Sequence, residues 1–272
     1  MRKCLVTVGV AVALGAMKFA SAAPVEFTAS GAQPADIQAS FQAFRSLLGT
    51  NHGVLNGPGN VFTDGHREIN WDGVPDASSD PNALPANFFN SNSPRGVVFT
   101  TPGTGFAVSA NAGGATPVLF GFPSDFQVFT SQKLFTAINS PITDVNFFLP
   151  GTATAATTSA FGIVFVDVEV ASSTKIQFFD QSNTLIYSRD ALVGGNQGLS
   201  FVGAVANAGE RISRVRITSG TNTIVSNGQL GNQVDDIVVM DDFLFAEPVP
   251  EPASLAMLGM AVMGLLLKRR SR

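Results

Sequence analysis

The sequence predicts an all-β fold: an antiparallel β-sandwich of the jelly-roll kind with one N-terminal helix, flanked by a signal peptide and a C-terminal transmembrane helix. Three observations carry this. From Gly96 onward, short runs of β-branched and aromatic residues are separated by Pro, Gly, Asn and Ser at intervals of about 8 to 12 residues, the spacing of a sandwich rather than of a parallel α/β sheet. The chain holds 23 Phe but one Trp and one Tyr, and Phe fills cores whereas Tyr and Trp favour wet recognition surfaces. No fixed-period repeat appears, which excludes solenoids and propellers.

The elements follow in order. Arg2 and Lys3 precede an apolar run, 4–17, that is shorter than the roughly 20 residues of a bilayer span. Ala20-Ser21-Ala22 then supplies the small-x-small pattern of a signal peptidase site, so 1–22 reads as a signal peptide cut before Ala23. Within 23–60 one helix is expected. Pro34 and Asp36 are start signals, Ile37, Phe41, Phe44 and Leu48 recur on one face, and Gly49 stands where the helix should stop. The stretch 53–94 is rich in Gly, Asn, Pro and Asp and reads as long loops around one short strand at 67–71.

The sandwich is assigned to 61–247. Strands are expected at 97–100, 105–109, 126–130, 133–138 and 144–149. The run 161–170 alternates more strictly and predicts a half-buried strand, with Asp167 and Glu169 at one end of its wetter face. Runs 175–180 and 185–188, joined by Gln181-Ser182-Asn183-Thr184, form the clearest hairpin. Strands at 199–206, 212–219 and 237–245 complete the series.

At the C-terminal end, Val249-Pro250-Glu251-Pro252 leads into 15 uncharged residues, 253–267, and then Lys268, Arg269, Arg270 and Arg272. The prolines stop regular structure, and the basic cluster belongs on the cytoplasmic side of a membrane. This order of parts closely resembles the PEP-CTERM sorting signal, with Pro250, Glu251 and Pro252 matching its signature. The resemblance implies export followed by recognition by an exosortase, a membrane-embedded cysteine transpeptidase. The tail at 248–272 would anchor the chain transiently in the inner membrane before it reaches the cell surface or the extracellular space. An exopolysaccharide or biofilm setting is implied as well. Such proteins share a tail and not a fold, so the body must be read separately.

Residues 23–249 hold 9 Lys and Arg against 19 Asp and Glu, a net charge of −10, and no cysteine. Nucleic-acid binding needs a basic footprint and is excluded. Thiol catalysis, thiolate metal sites and disulfides are excluded with the cysteine. His52 and His66 fit no common zinc spacing, and no G-x-S-x-G, H-E-x-x-H or phosphate-cradling motif occurs.

Carboxylates are the remaining chemistry. Asp235-Asp236 and Asp241-Asp242 bracket an apolar run, and Asp64, Glu68, Asp72, Asp76 and Asp80 lie in the loop-rich part. Oxygen ligands gathered from loops suit calcium, and Asp241, Asp242 and Asp72 are its candidate ligands. Solvated or turn-capping carboxylates are the competing reading. The motifs Lys175-Ile176-Gln177-Phe178-Phe179-Asp180, Leu199-Ser200-Phe201-Val202-Gly203 and Asp241-Asp242-Phe243 resemble the jelly-roll region of exported carbohydrate-binding-like modules over 145–246. That resemblance implies a concave sheet able to hold glycans and a structural calcium ion. Trp71 is the candidate glycan platform, with a buried anchoring role as its rival.

The leading expectation is therefore a non-enzymatic surface or matrix protein. Its partners would be signal peptidase, exosortase, the membrane before processing, and extracellular polysaccharide. The alternatives are a carboxylate-dependent hydrolase of extracellular polysaccharide and a purely structural coat protein.

Overall fold

The period-two runs pair into two antiparallel sheets, because each offers one apolar face that must be buried against another. The computed structural model describes residues 23–53, 62–110, 118–225 and 235–251. The predicted signal peptide, the transmembrane helix and Pro252 lie outside them. In chain order the first half forms β1 (Val25–Gly31), α1 (Pro34–Leu47), β2 (His66–Ile69), α2 (Phe88–Ser91), β3 (Val97–Thr100), β4 (Gly105–Val108), β5 (Phe135–Ile138) and β6 (Ile142–Phe147). The second half forms β7 (Ala156–Thr157), β8 (Ala160–Val166), β9 (Lys175–Phe179), β10 (Leu185–Asp190), β11 (Leu199–Val205), β12 (Arg214–Thr218), β13 (Val239–Ala246) and β14 (Val249–Pro250).

The larger sheet runs β1-β11-β8-β13-β5-β4, with β2 also on β13, and the smaller runs β10-β9-β12-β6-β3. Between them lies the main core, where Phe161, Phe165 and Phe243 of the large sheet share one apolar cluster with Phe99, Phe147 and Phe178 of the small one. The phenylalanine-heavy composition is used here, as a lattice of edge-to-face rings.

The outer face of the large sheet is covered too. Helix α1 begins where Pro34 and Asp36 predicted, with the Gln33 amide donating to Asp36 Oδ2 at 2.9 Å. It lays Ile37, Phe41 and Phe44 against Val164, Val166, Phe201 and Leu244. Gly162 of β8 and Gly203 of β11 are cross-strand partners, and a β-carbon on Gly162 would lie 2.6 Å from the Phe44 ring. The glycine pair makes the hollow into which Phe44 fits.

This covering explains one departure from expectation. The strand read as half-buried, now β8, is buried along its whole length: Phe161, Ile163 and Phe165, on the face assigned to water, pack in the core between the sheets, and α1 covers the opposite face at Val164 and Val166. Three further differences stand out. The residues before α1 form β1, the edge strand of the large sheet, paired over seven residues with β11. Residues 126–130 make no strand: the Phe129 and Thr130 amides donate to the Asp241 carboxylate instead of to a neighbouring backbone. Finally, the start of the tail is docked on the body, Val249 opposite Thr157 and Pro250 opposite Ala156. The hairpin of β9 and β10 forms as predicted, its turn held by Asp180 Oδ1 accepting from the Ser182 and Thr184 amides at 2.8 Å each.

Candidate functional site

Strand β13 is the last long strand of the chain and lies inside the large sheet. One edge pairs with β8 throughout, while the other is divided: Met240 pairs with Phe135 of β5, and 243–246 pair with β2. At the division the register shifts. Met240 faces Phe165 and Phe243 faces Ile163, so Asp241 and Asp242 together stand opposite Val164 in a β-bulge. Met240 and Phe243 belong to the core between the sheets, while Val239 and Leu244 belong to the helix-side cluster. The extra residue therefore sends both carboxyls to the helix-covered face.

There the segment before β5 closes over them. Asp241 Oδ2 accepts from the Phe129 amide at 2.6 Å and the Thr130 amide at 3.3 Å, and the Thr130 hydroxyl donates to Asp242 Oδ1 at 2.8 Å. Asp241 is fully buried and Asp242 nearly so. Burial, and then the neighbouring Asp242 charge, raise the Asp241 pKa well above the carboxylate range; burial pushes Asp242 up to about 6. A hydrogen bond joins the two carboxyls, raising Asp241 and lowering Asp242. Two adjacent buried carboxyls cannot both ionise cheaply, so the pair favours a shared proton.

The neighbours are equally committed. Asp72 Oδ1 accepts from the Lys133 amide at 3.1 Å, and the Lys133 ammonium, itself buried, donates to Val74 O and to Ser79 Oγ. Glu68 of β2 takes Arg45 of α1 on both oxygens, at 2.5 and 3.1 Å, and lies 2.7 Å from His66 Nε2. Burial raises its pKa, but the bonds to His66 and Arg45 outweigh that and hold it below the usual value. Trp71 is 1% exposed, stacked on Phe135 with centroids 4.0 Å apart, and donates Nε1–H to Asp241 O at 2.8 Å. It cannot offer a ring face to a glycan; its place is in the core, pinning the bulge.

The three candidate calcium ligands do lie in one neighbourhood. Their oxygens, however, face amide and hydroxyl donors, and among the described residues no three His, Cys, Asp or Glu converge as a metal-holding group. The second acidic pair shows the same use. Asp236 accepts from the Glu169 and Val170 amides and from the Ser173 hydroxyl. Asp167, in a left-handed backbone conformation, accepts from the Gln197 amide, and burial followed by the charges of Glu169, Asp125 and Asp236 raises it to about 7. Chemically these carboxylates anchor connections. Asp241, Asp242 and Asp167, as buried groups of raised pKa, make the fold pH-sensitive.

A cleft of about 300 Å³ opens elsewhere, beside β4. Asp80, Asn82 and Thr104 supply its polar groups and Phe106, Phe120 and Ile138 its apolar wall. The chain at 80–84 covers the free edge of β4, the Leu84 amide donating to Phe106 O at 2.9 Å and the Asp80 amide to Val108 O at 2.7 Å. Leu119 and Phe120 have φ of 50° and 55°, a costly conformation for such side chains. Burial raises the Asp80 carboxyl, and no salt bridge reaches it among the described residues. Composition flagged Asp80 only as one of several loop acids. Phe120 carries no sequence signal, because its role depends on the fold of 118–122.

The remaining site is the junction with the tail. Glu247 is buried and holds Arg67, which is fully enclosed, through two hydrogen bonds of 2.8 Å. Arg67 also donates to Gly53 O and Pro94 O, so one guanidinium gathers three segments. Val249, Pro250 and Glu251 are half-buried directly after it.

Against known proteins, residues 248–270 match the PEP-CTERM protein-sorting motif. No curated protein matches the chain. Among solved structures, the enzymatically active domain of tailspike protein 4 of bacteriophage CBA120 aligns at 10% identity and a TM-score of 0.22. That alignment covers 61% of this chain and 20% of the phage protein, and at such a score it bears on neither fold nor function. The sorting motif, by contrast, makes this an exported protein that an exosortase sorts and that is membrane-anchored before processing.

Proposed function

We propose that the processed body is a non-enzymatic surface or matrix protein that associates with extracellular polysaccharide, and that the cleft beside β4 is where a saccharide unit is held. The cleft is the observation that supports this reading. A sugar presents hydroxyls along its rim and an apolar face of C–H groups, which suit a carboxylate, an amide and a hydroxyl set beside a phenylalanine wall. The test uses processed protein recovered from producing cells and immobilised exopolysaccharide. Retention is expected for the natural protein and a loss of about tenfold or more for Asp80→Ala; equal retention of both, or of neither, overturns the assignment.

The hydrolase alternative needs two carboxyls facing one opening. Asp241 and Asp242 are the closest pair with raised pKa, and their burial beneath Phe129 and Thr130 supports an anchoring role over catalysis. A structural coat role is the reading that absent retention would leave.

A further inference from the structure

We infer that the saccharide unit taken by the cleft beside β4 is an unacetylated amino sugar, its ammonium group held by the Asp80 carboxylate. The inference rests on the cleft being a saccharide site and adds the chemistry of the sugar.

Asp80 is the one ionisable side chain among the residues that line the cleft. Its backbone is fixed, because the Asp80 amide donates to Val108 O at 2.7 Å on β4. Its carboxylate is half-buried, and among the described residues no hydrogen bond or ion pair ends on it. The ammonium that reaches Ser79, one residue earlier, is spent elsewhere: Lys133 Nζ donates to Val74 O and Ser79 Oγ and lies 3.7 Å from Asp76 Oδ1. Burial without a counter-charge raises the Asp80 carboxyl, and a bound ammonium would offset that cost.

The other polar groups suit the same guest, since an ammonium brings three donors and no acceptor. Asn82 spends an N–H on Asp76 O at 3.0 Å and keeps its amide oxygen. Thr104 Oγ1 accepts from Asn139 Nδ2 at 2.8 Å and keeps a second lone pair. Rival sugars fit less well. A uronate would bring a second carboxylate to a cleft lined by no cation, on a body that is already strongly acidic. An N-acetylated unit offers a neutral amide N–H, whose hydrogen bond is about half as strong as a charge-assisted one.

Processed protein recovered from producing cells is titrated by calorimetry at about pH 6, where a sugar amine is protonated. Three disaccharides serve as probes: a glucosamine dimer with both amines free, the same dimer N-acetylated, and a galacturonate dimer. The free-amine dimer should bind about tenfold or more tighter than the acetylated one, and the uronate should not bind. Asp80→Asn keeps the shape of the side chain and should abolish the preference. Asp64→Asn removes a charge from an exposed acid outside the cleft and should leave it intact. A preference that survives Asp80→Asn belongs to the overall charge of the body and overturns the inference. Equal or tighter binding of the acetylated dimer overturns it too, and if Asp80→Asn weakens that binding the saccharide cleft still stands. If no disaccharide binds, the inference falls, and the cleft reading falls with it unless retention on exopolysaccharide depends on Asp80.

Discussion

Single residues carry much of the architecture through side chains that satisfy backbone. Trp71 is the clearest case, because its indole N–H holds the Asp241 carbonyl in the bulge. Trp71→Phe keeps the ring and leaves that carbonyl unpaired, and should cost about 1–3 kcal/mol in denaturant unfolding. As the single Trp of the chain it also reports on folding: native emission should be blue-shifted and shielded from iodide, and both properties should vanish on unfolding. Asp167 offers a test of a different kind. Its left-handed backbone suits Asn as well as Asp, and an amide oxygen can still accept from Gln197. Asp167→Asn should therefore leave stability nearly unchanged near pH 3 and raise it by a growing amount from about pH 4 to pH 7, as read by thermal melting. An Asp241→Asn change keeps an oxygen for the Phe129 and Thr130 amides and an N–H for the Asp242 carboxylate, and should likewise raise the melting temperature more at pH 8 than near pH 3.

Among elements, the pairing of α1 with β8 and β11 shows what sequence could and could not disclose. The helix was legible from its four-residue spacing, and most strands from alternation and turn residues. What alternation could not say is that β8 is covered on both faces, since that depends on a helix more than a hundred residues earlier. The strand β1 escaped notice because seven residues beside a predicted cleavage site carry too little period to stand out. The stretch 126–130 looked like a strand by composition, and fails to be one because a carboxylate from β13 claims its amides. In the candidate site, the acids were legible as residues, and only the bulge and the donors above it show what they hold. The Gly162 and Gly203 hollow makes a direct prediction. Gly162→Ala should press on Phe44 and cost about 1–3 kcal/mol by overpacking, with Phe44→Leu in the same chain restoring part of the loss.

At the scale of the whole molecule, the raised carboxyls set the response to pH. A carboxyl whose pKa is higher in the folded state keeps a proton that the unfolded chain has already released, so stability is greatest at the acidic end of that window and falls as pH rises. With Asp242 near 6 and Asp167 near 7, the fall should run from about pH 4 to pH 7 at up to about 1.4 kcal/mol per unit for each group. Glu68 acts in the opposite sense below that window, because its lowered pKa means a stabilising charge lost in strong acid. Melting curves from pH 3 to pH 8 should thus show a maximum on the acidic side of neutrality. Calcium bears on the same pair. With their oxygens already facing donors, chelation should leave the melting temperature unmoved, and a rise of several degrees on adding calcium would show that a cation can replace the shared proton.

The position of β13 has one more consequence, and it concerns timing. The strand that completes the large sheet between β8 and β5 comes from residues 239–246, nearly the last of the body to leave the ribosome. Until it arrives, β2 and β5 lack the strand that joins them to β8, and Arg67 lacks Glu247. Long-range pairings of this kind form slowly and only when both partners are present. The large sheet consequently cannot close until residues 239–246 are present, and the body completes its structure only with its C-terminal segment.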